Sequence, residues 1–295
     1  MNRIVDYLIN PKSFALFIMR KTARLWPDKL YLEIVYYVKF GKSLDLKNPK
    51  SFNEKMNWLK LYDRNPLYVK LADKYEVKNY VREKIGDKYV VPCYGVWTRF
   101  EDIDFDKLPN SFVLKATHDS GGAYICKDKA PLDKEKAKKK MEYALKNNFF
   151  YVSREWPYKE IPHRIIADKF LDDGREGELQ DYKFWCFNGK PSVFYMTNKG
   201  EKIYENFYDM DFKPMHISHG FPRKSPEYNK PSLFEQMKSL ASILSQDIPF
   251  VRVDFFVVDN NIYFGEFTFY DWAGLRPFEN DNTDIQLGNL LKLPS

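Results

Sequence analysis

The run VRVDFFVVDNNIYFGEFTF, residues 251–269, places two strand-like stretches on either side of a polar Asp-Asn-Asn break, and it reads as a β-hairpin. A turn through Asp259, Asn260 and Asn261 sets Val258 against Ile262 and brings Asp254 directly opposite Glu266, with Cβ atoms about 5 Å apart. Two opposed carboxylates flanked by Phe255, Phe256, Phe264 and Phe267 repel unless a proton or a cation lies between them. A hard divalent ion is the simplest answer. Arg252 lies on the same face and offers partial neutralisation, so an arginine-carboxylate cluster without metal is the structural alternative.

The rest of the chain narrows the choice of ion. Its four histidines, His118, His163, His216 and His219, form no HExxH, and Cys93, Cys126 and Cys186 have no paired spacing. Neither a zinc ribbon nor a disulfide framework is available, which favours oxygen ligands, magnesium and a reducing compartment. With 295 residues, 44% of them hydrophobic, the chain is no disordered scaffold and has room for two domains or one large α/β unit. No apolar run approaches the ~18 residues of a membrane span, and the N-terminal stretch lacks a small-residue cleavage site, so a cytoplasmic location is expected. The net charge of +6 is uneven: residues 1–60 hold 12 Lys/Arg against 5 Asp/Glu. Such a region suits an anionic membrane surface or glycan, or is simply a solvated helical face. No RNA-type motif accompanies it, and nucleic acid is not an expected partner.

Residues 1–60 read as helices punctuated by Pro11, Pro27 and Pro49, and a second helical pattern runs from Asn53 to Lys84 until Gly86 stops it. SFVLKATHDSGGAYICK reads as strand, polar turn and strand, followed by a helix from Asp133 to Asn148. RIIADKFL and DYKFWCFNGKPSVFYM are further strands, the second folded into a hairpin by Asn188-Gly189. Ser232 and Glu235 have the spacing of a capping box for a helix bearing Met237, Leu240, Ala241 and Leu244.

Two further segments carry chemistry. In VLKATHDSGG a hydrophobic strand delivers Lys115 and gives way to a turn with Gly121 and Gly122, whose backbone N–H groups can approach phosphate oxygens. Neither GxxxxGK[ST] nor GxGxxG occurs, so P-loop and Rossmann sites are not expected, and an ordinary hairpin turn stays open as a reading. Lys74 and Lys183 follow aspartates in LADKYEVKNYV and DYKFWCF. Strand alternation places Lys183 on the face of Trp185 and Phe187, where a bound anion would satisfy its charge.

In this order, FNEKMNWLKLYD, LADKYEVKNYV, LPNSFVLKATHDSGG, DYKFWCFNGKP and PFVRVDFFVVDNNIYFGEFTF resemble the ATP-grasp superfamily, within it the TupA-like branch of teichuronopeptide biosynthesis. The resemblance implies an α/β ATP-grasp fold of α+β subdomains clamping ATP and Mg2+, behind a helical N-terminal region. It divides the chain into a basic helical region (1–60), a divergent region (61–110) and the nucleotide-binding and catalytic part (111–295). It implies that Lys74 and Lys115 hold the phosphates and that His118, Asp119, Ser120, Gly121 and Gly122 form the closing loop. Lys169 and Phe170 would offer backbone groups to adenine, with Asp168 just before them, and Lys183 would join in nucleotide binding. Asp254 and Glu266 would hold the metal, with Thr268 where related ligases carry asparagine. Arg252 and Lys183 are the expected catalytic cations.

The implied reaction is amide formation through an acylphosphate, joining an amino acid or small amine to a uronic acid of a surface polysaccharide, such as a capsule, or of its precursor. A sugar or glycan acceptor and an amine donor are then the partners, with Arg223 and Arg276 as candidate carboxylate forks, and peripheral contact at the inner face of an anionic membrane is a further expectation. A glycan kinase, a glycosyltransferase and a non-enzymatic membrane- or glycan-binding protein stay open as alternatives.

Overall fold

The computed structural model describes residues 10–174, 179–199 and 203–294. Residues 1–9 of the basic region, 175–178 of the DDGREGELQ segment and 200–202 lie outside the described residues. Two helices open the described chain, α1 (Pro11–Lys21) and α2 (Asp28–Phe40). They close on each other through Met19, Tyr31, Leu32, Val35 and Tyr36, and Leu275 from the far end of the chain completes this small core. Next come α3 (Phe52–Tyr62), α4 (Leu67–Ala72) and α5 (Val77–Ile85). The capping box of the chain opens α3: Glu54 N–H donates to Ser51 Oγ while the Glu54 carboxylate accepts from Ser51 N–H.

The first sheet holds β1 (Cys93–Trp97), β2 (Phe112–Ala116), β3 (Tyr124–Cys126) and β4 (Ile165–Lys169) in the order β1-β4-β2-β3, all antiparallel. Helix α6 (Lys134–Lys146) covers one face of it with Ala137 and Met141, as the Asp133–Asn148 pattern predicts. Asp133 caps the helix by accepting from Lys136 N–H. Two short helices, α7 (Phe150–Ser153) and α8 (Pro157–Glu160), lead back to β4.

The second sheet is larger. It holds β5 (Asp181–Phe187), β6 (Lys190–Lys199), β7 (Ile203–Tyr208), β8 (Pro214–Met215), β9 (Phe250–Val258) and β10 (Asn261–Thr268), in the order β10-β9-β5-β6-β7-β8. The Asn188-Gly189 turn forms as expected, both residues taking positive φ so that Phe187 pairs with Lys190. Helix α9 (Phe234–Leu244) packs Phe234, Met237, Ala241 and Leu244 against the face bearing Phe184 and Val253. It is not capped by Ser232: Leu233 is the N-cap without a side-chain bond, and Glu235 pairs with Lys230 and Lys238 instead. A final helix, α10 (Asp281–Leu290), docks on α3, where Asp284 accepts from both the backbone and the side-chain amide of Asn53. Among the described residues no helix is long and apolar enough to cross a membrane.

The hairpin reaches the expected pairing by a different route. Its turn is two residues long, because Asp259 and Asn260 both adopt left-handed backbone, so Val258 pairs with Asn261 rather than Ile262. That register alone would misalign Asp254 and Glu266 by one residue. A bulge at Gly265 restores the pairing, and there a Cβ would lie 3.1 Å from the Asp254 carbonyl oxygen.

Candidate functional site

Strand β9 lies between β5 and β10, so one cross-strand row reads Lys183, Asp254, Glu266 and the next reads Trp185, Arg252, Thr268. Antiparallel partners share a face, and this face changes character along its length. Trp185 stacks on Phe52 in the core, while the row above it is wholly charged. Asp254 is buried and accepts from Lys183 Nζ at 2.6 Å, from Arg252 Nε at 2.7 Å and from Arg252 Nη2 at 2.8 Å. Burial works to raise its pKa, but the two cations outweigh it and hold the carboxyl below its ordinary value. Arg252 also donates to Asp271, a buried carboxylate at 2.8 Å, and to Glu266 at 3.3 Å. Burial works against the guanidinium charge, yet Asp254 and Asp271 shift it well upward.

Opposite this row, across a cleft of about 500 Å3, stands the first sheet with the polar loop after β2. Lys115 at the end of β2 pairs with Asp168 on β4 at 3.2 Å, and Lys78 in the first turn of α5 pairs with the same carboxylate at 3.1 Å. Lys74 donates Nζ–H to the carbonyl of Asp119, and its own N–H donates to Thr117, which ties the segment before α5 to the loop. Burial lowers the Lys74 pKa, with Lys115 adding to the shift and Glu266 opposing it. Ser120, Gly121 and Gly122 line the cleft beside these cations, Gly121 with φ +89°. Val77, Val90, Val91 and Phe256 supply an apolar wall.

The cleft thus brings together Lys74, Lys115, Asp119, Ser120, Gly121, Gly122, Asp168, Lys183, Arg252, Asp254 and Glu266. Other expected residues lie elsewhere. His118 is fully buried and turned away: its Nε2–H donates to Ala144 and Asn147 carbonyls at the end of α6, and its ring stacks on His163 at 3.6 Å. Burial and the neighbouring His163 lower its pKa. Lys169 and Phe170 do not line the cleft, and the Lys169 N–H is bound by the Pro92 carbonyl at 2.8 Å. Arg223 is engaged by Glu227 and the Met215 carbonyl. Arg276 donates to the His219 carbonyl and packs 4.1 Å from the Phe221 and Trp272 rings at the cleft margin. Thr268 lines a second cavity. Sequence reasoning missed Lys78, one helical turn after Lys74, as well as Asp181 and Asp271. The strand position of Asp181, two residues before Lys183 on the same face, was the available signal for one of them.

Among the described residues no three His, Cys, Asp or Glu side chains are grouped to hold a metal unaided. The donor set still fits magnesium delivered with phosphates, since that ion takes most ligands from phosphate and water and needs only one or two carboxylates. Glu266 is 47% exposed and its one ion pair among the described residues is the 3.3 Å contact with Arg252, so it can serve as a ligand; Asp254 is its cross-strand partner.

The profile of the family described as "TupA-like ATPgrasp" matches residues 54–292. No curated protein sequence matches the chain. Among solved structures, D-alanine-D-alanine ligase from Helicobacter pylori is 18% identical, covering 82% of this chain and 70% of its own at TM-score 0.46. The Bacillus anthracis D-alanine-D-alanine ligase complexed with ATP is 17% identical, covering 67% and 54% at TM-score 0.41. A RimK domain ATP-grasp protein from Sphaerobacter thermophilus is 11% identical, covering 78% and 70% at TM-score 0.42. The chain therefore spans about half to seven-tenths of the length of these proteins.

Proposed function

The chain belongs to the TupA-like ATP-grasp family, and from that premise we propose that it is an ATP-dependent carboxylate-amine ligase. The observation that carries the reading is the charged row Lys183, Asp254, Glu266 facing Lys74, Lys115 and a glycine loop across one cleft. The adenine end of ATP occupies the apolar wall of Val90, Val91 and Phe256, and the phosphates extend toward Lys74, Lys115 and the N–H groups of Ser120, Gly121 and Gly122. Magnesium bound with the nucleotide would be held by Glu266 and Asp254 and supplies neutralisation of the phosphoryl oxygens.

The acceptor carboxylate attacks the γ-phosphorus, the bond to the β-phosphate oxygen breaks, and ADP and an acylphosphate result. The amine nitrogen then attacks the acyl carbon, forming the amide as phosphate departs. Arg252, locked by Asp254 and Asp271, presents a fixed positive charge to the acylphosphate, and Lys183 is held beside it; preorganised charge of this kind needs no reorganisation during reaction.

The acid in this reading is a uronic acid of a surface polysaccharide or its precursor, and the amine an amino acid or small amine. The protein works in the cytoplasm, with peripheral contact at the inner membrane face. Exposed Phe14, Ile18 and Leu25 interleaved with Lys12, Lys21 and Arg24 support that contact. A coupled assay of ADP and phosphate release, with uronic acids and amino acids varied independently, tests the reaction. Release that requires both partners supports the ligase, whereas release with the sugar alone and a phosphorylated sugar as product replaces it with a kinase.

A further inference from the structure

A second cavity of about 550 Å3 adjoins the first and shares Ser120, Arg252, Glu266 and Trp272 with it. The N-terminal helices line this second cavity as well, contributing Arg20 from α1 and Lys39 from α2. Both are exposed, and neither forms an ion pair among the described residues. Glu155 also lines the cavity, a carboxylate only 6% exposed whose one side-chain hydrogen bond among the described residues comes from Ser153 Oγ at 2.8 Å. Lys60 is near, but its ammonium is bound by the Ser153 and Ala273 carbonyls and makes no ion pair with Glu155 within 4 Å.

A buried carboxylate with no ion pair within 4 Å and two cations unpaired among the described residues line the same chamber, and together they offer complementary groups for a zwitterion. Resting on the ligase reading, we infer that this chamber binds the amine donor as an α-amino acid, its carboxylate held by Arg20 and Lys39 and its ammonium by Glu155. Burial raises the Glu155 pKa, against the lowering effect of Ser153 and Lys60, which suits a group that receives a proton near neutrality. The ammonium gives one proton to the Glu155 carboxylate. The freed lone pair forms the C–N bond, the acyl C–O bond breaks with its electrons on phosphate, and phosphate departs with the second proton. The shared wall of Arg252 and Glu266 is where such an amine would meet the acylphosphate. The N-terminal region is on this account part of the substrate site as well as a surface.

The test is calorimetry on the full chain saturated with magnesium and a non-hydrolysable ATP analogue. It is titrated with each of the twenty L-amino acids and with the decarboxylated amine and deaminated acid of any that binds. At least one amino acid is expected to bind, with both truncated forms weaker by roughly tenfold or more. The Arg20→Ala/Lys39→Ala double variant, altered only on exposed side chains, is expected to weaken the amino acid by a similar factor while leaving its decarboxylated amine unchanged. Glu155→Gln is expected to weaken both. An amino acid bound equally by wild type and the double variant, or no amino acid bound while the analogue binds, overturns the inference alone. Failure of the analogue itself to bind overturns the ligase reading and this inference with it.

Discussion

Replacing Asp254 by asparagine removes one negative charge and keeps the shape, so its effect isolates what that charge does. The carboxylate, only 2% exposed, accepts three charge-assisted bonds from Arg252 and Lys183. Without it, Lys183 retains Asp181 at 3.3 Å and Arg252 retains Asp271 and the longer contact to Glu266, leaving two cations to share three carboxylates. Breaking a buried, hydrogen-bonded pair from one side costs about 3–5 kcal/mol. At roughly 2 °C per kcal/mol for a chain of this size, Tm falls by about 6–10 °C. The pH dependence follows from the depressed pKa. The unfolded carboxyl titrates near its ordinary value, so the Asp254 contribution is complete above about pH 4 and is lost as pH falls through the lower folded value. Scanning calorimetry of wild type and Asp254→Asn at pH 7 and at pH 3 measures both effects, and the gap should narrow at the lower pH. A variant within about 0.5 kcal/mol of wild type at pH 7 would mean that the carboxylate is dispensable to the cations around it.

Lys115→Ala and Glu266→Gln should each lower turnover on the order of 10²-fold or more while leaving Tm within a few degrees, since both side chains face the cleft; activity within a few-fold of wild type would return them to structure. Gly274→Ala should destabilise by about 2 kcal/mol or more in chemical unfolding, because Gly274 has φ +58° and a Cβ there would clash with Met56 Cβ. The chain should cosediment with anionic vesicles at low salt and release at high salt, at about 1 kcal/mol per basic residue near the surface; equal association with neutral vesicles would remove the membrane contact.

What could be read in the sequence was local. Asn188-Gly189 marked its hairpin because its backbone preference matches the strand twist. The helix expected from Asp133 to Asn148 followed from the one-face stripe of Ala137, Met141, Ala144 and Leu145, of which the first three are buried. The same logic misplaced a capping box, since Ser51-Glu54 and Ser232-Glu235 have equal spacing and only the surroundings differ: Glu235 pairs with two lysine ammonium groups, whereas Glu54 accepts from the Lys50 and Ser51 backbone N–H groups. The Asp254–Glu266 pairing was legible through an assumed three-residue turn, although a two-residue turn and a bulge produce it. The rest depended on contacts between distant segments. Nothing near Lys60 in sequence announces the Ser153 carbonyl that binds it, and His118, adjacent to the loop, is claimed by the end of α6. Arg20 and Lys39 looked like members of a charge run until the fold set them on a cavity wall.

Whether the cleft holds ATP is decided by isothermal calorimetry of the full chain with a non-hydrolysable ATP analogue, with and without magnesium, on wild type and Lys115→Ala. Saturable binding that tightens with magnesium and weakens by roughly tenfold or more in the variant is the predicted result. No detectable heat at millimolar analogue in either condition, or binding indifferent to Lys115, would contradict the assignment of the cleft to ATP.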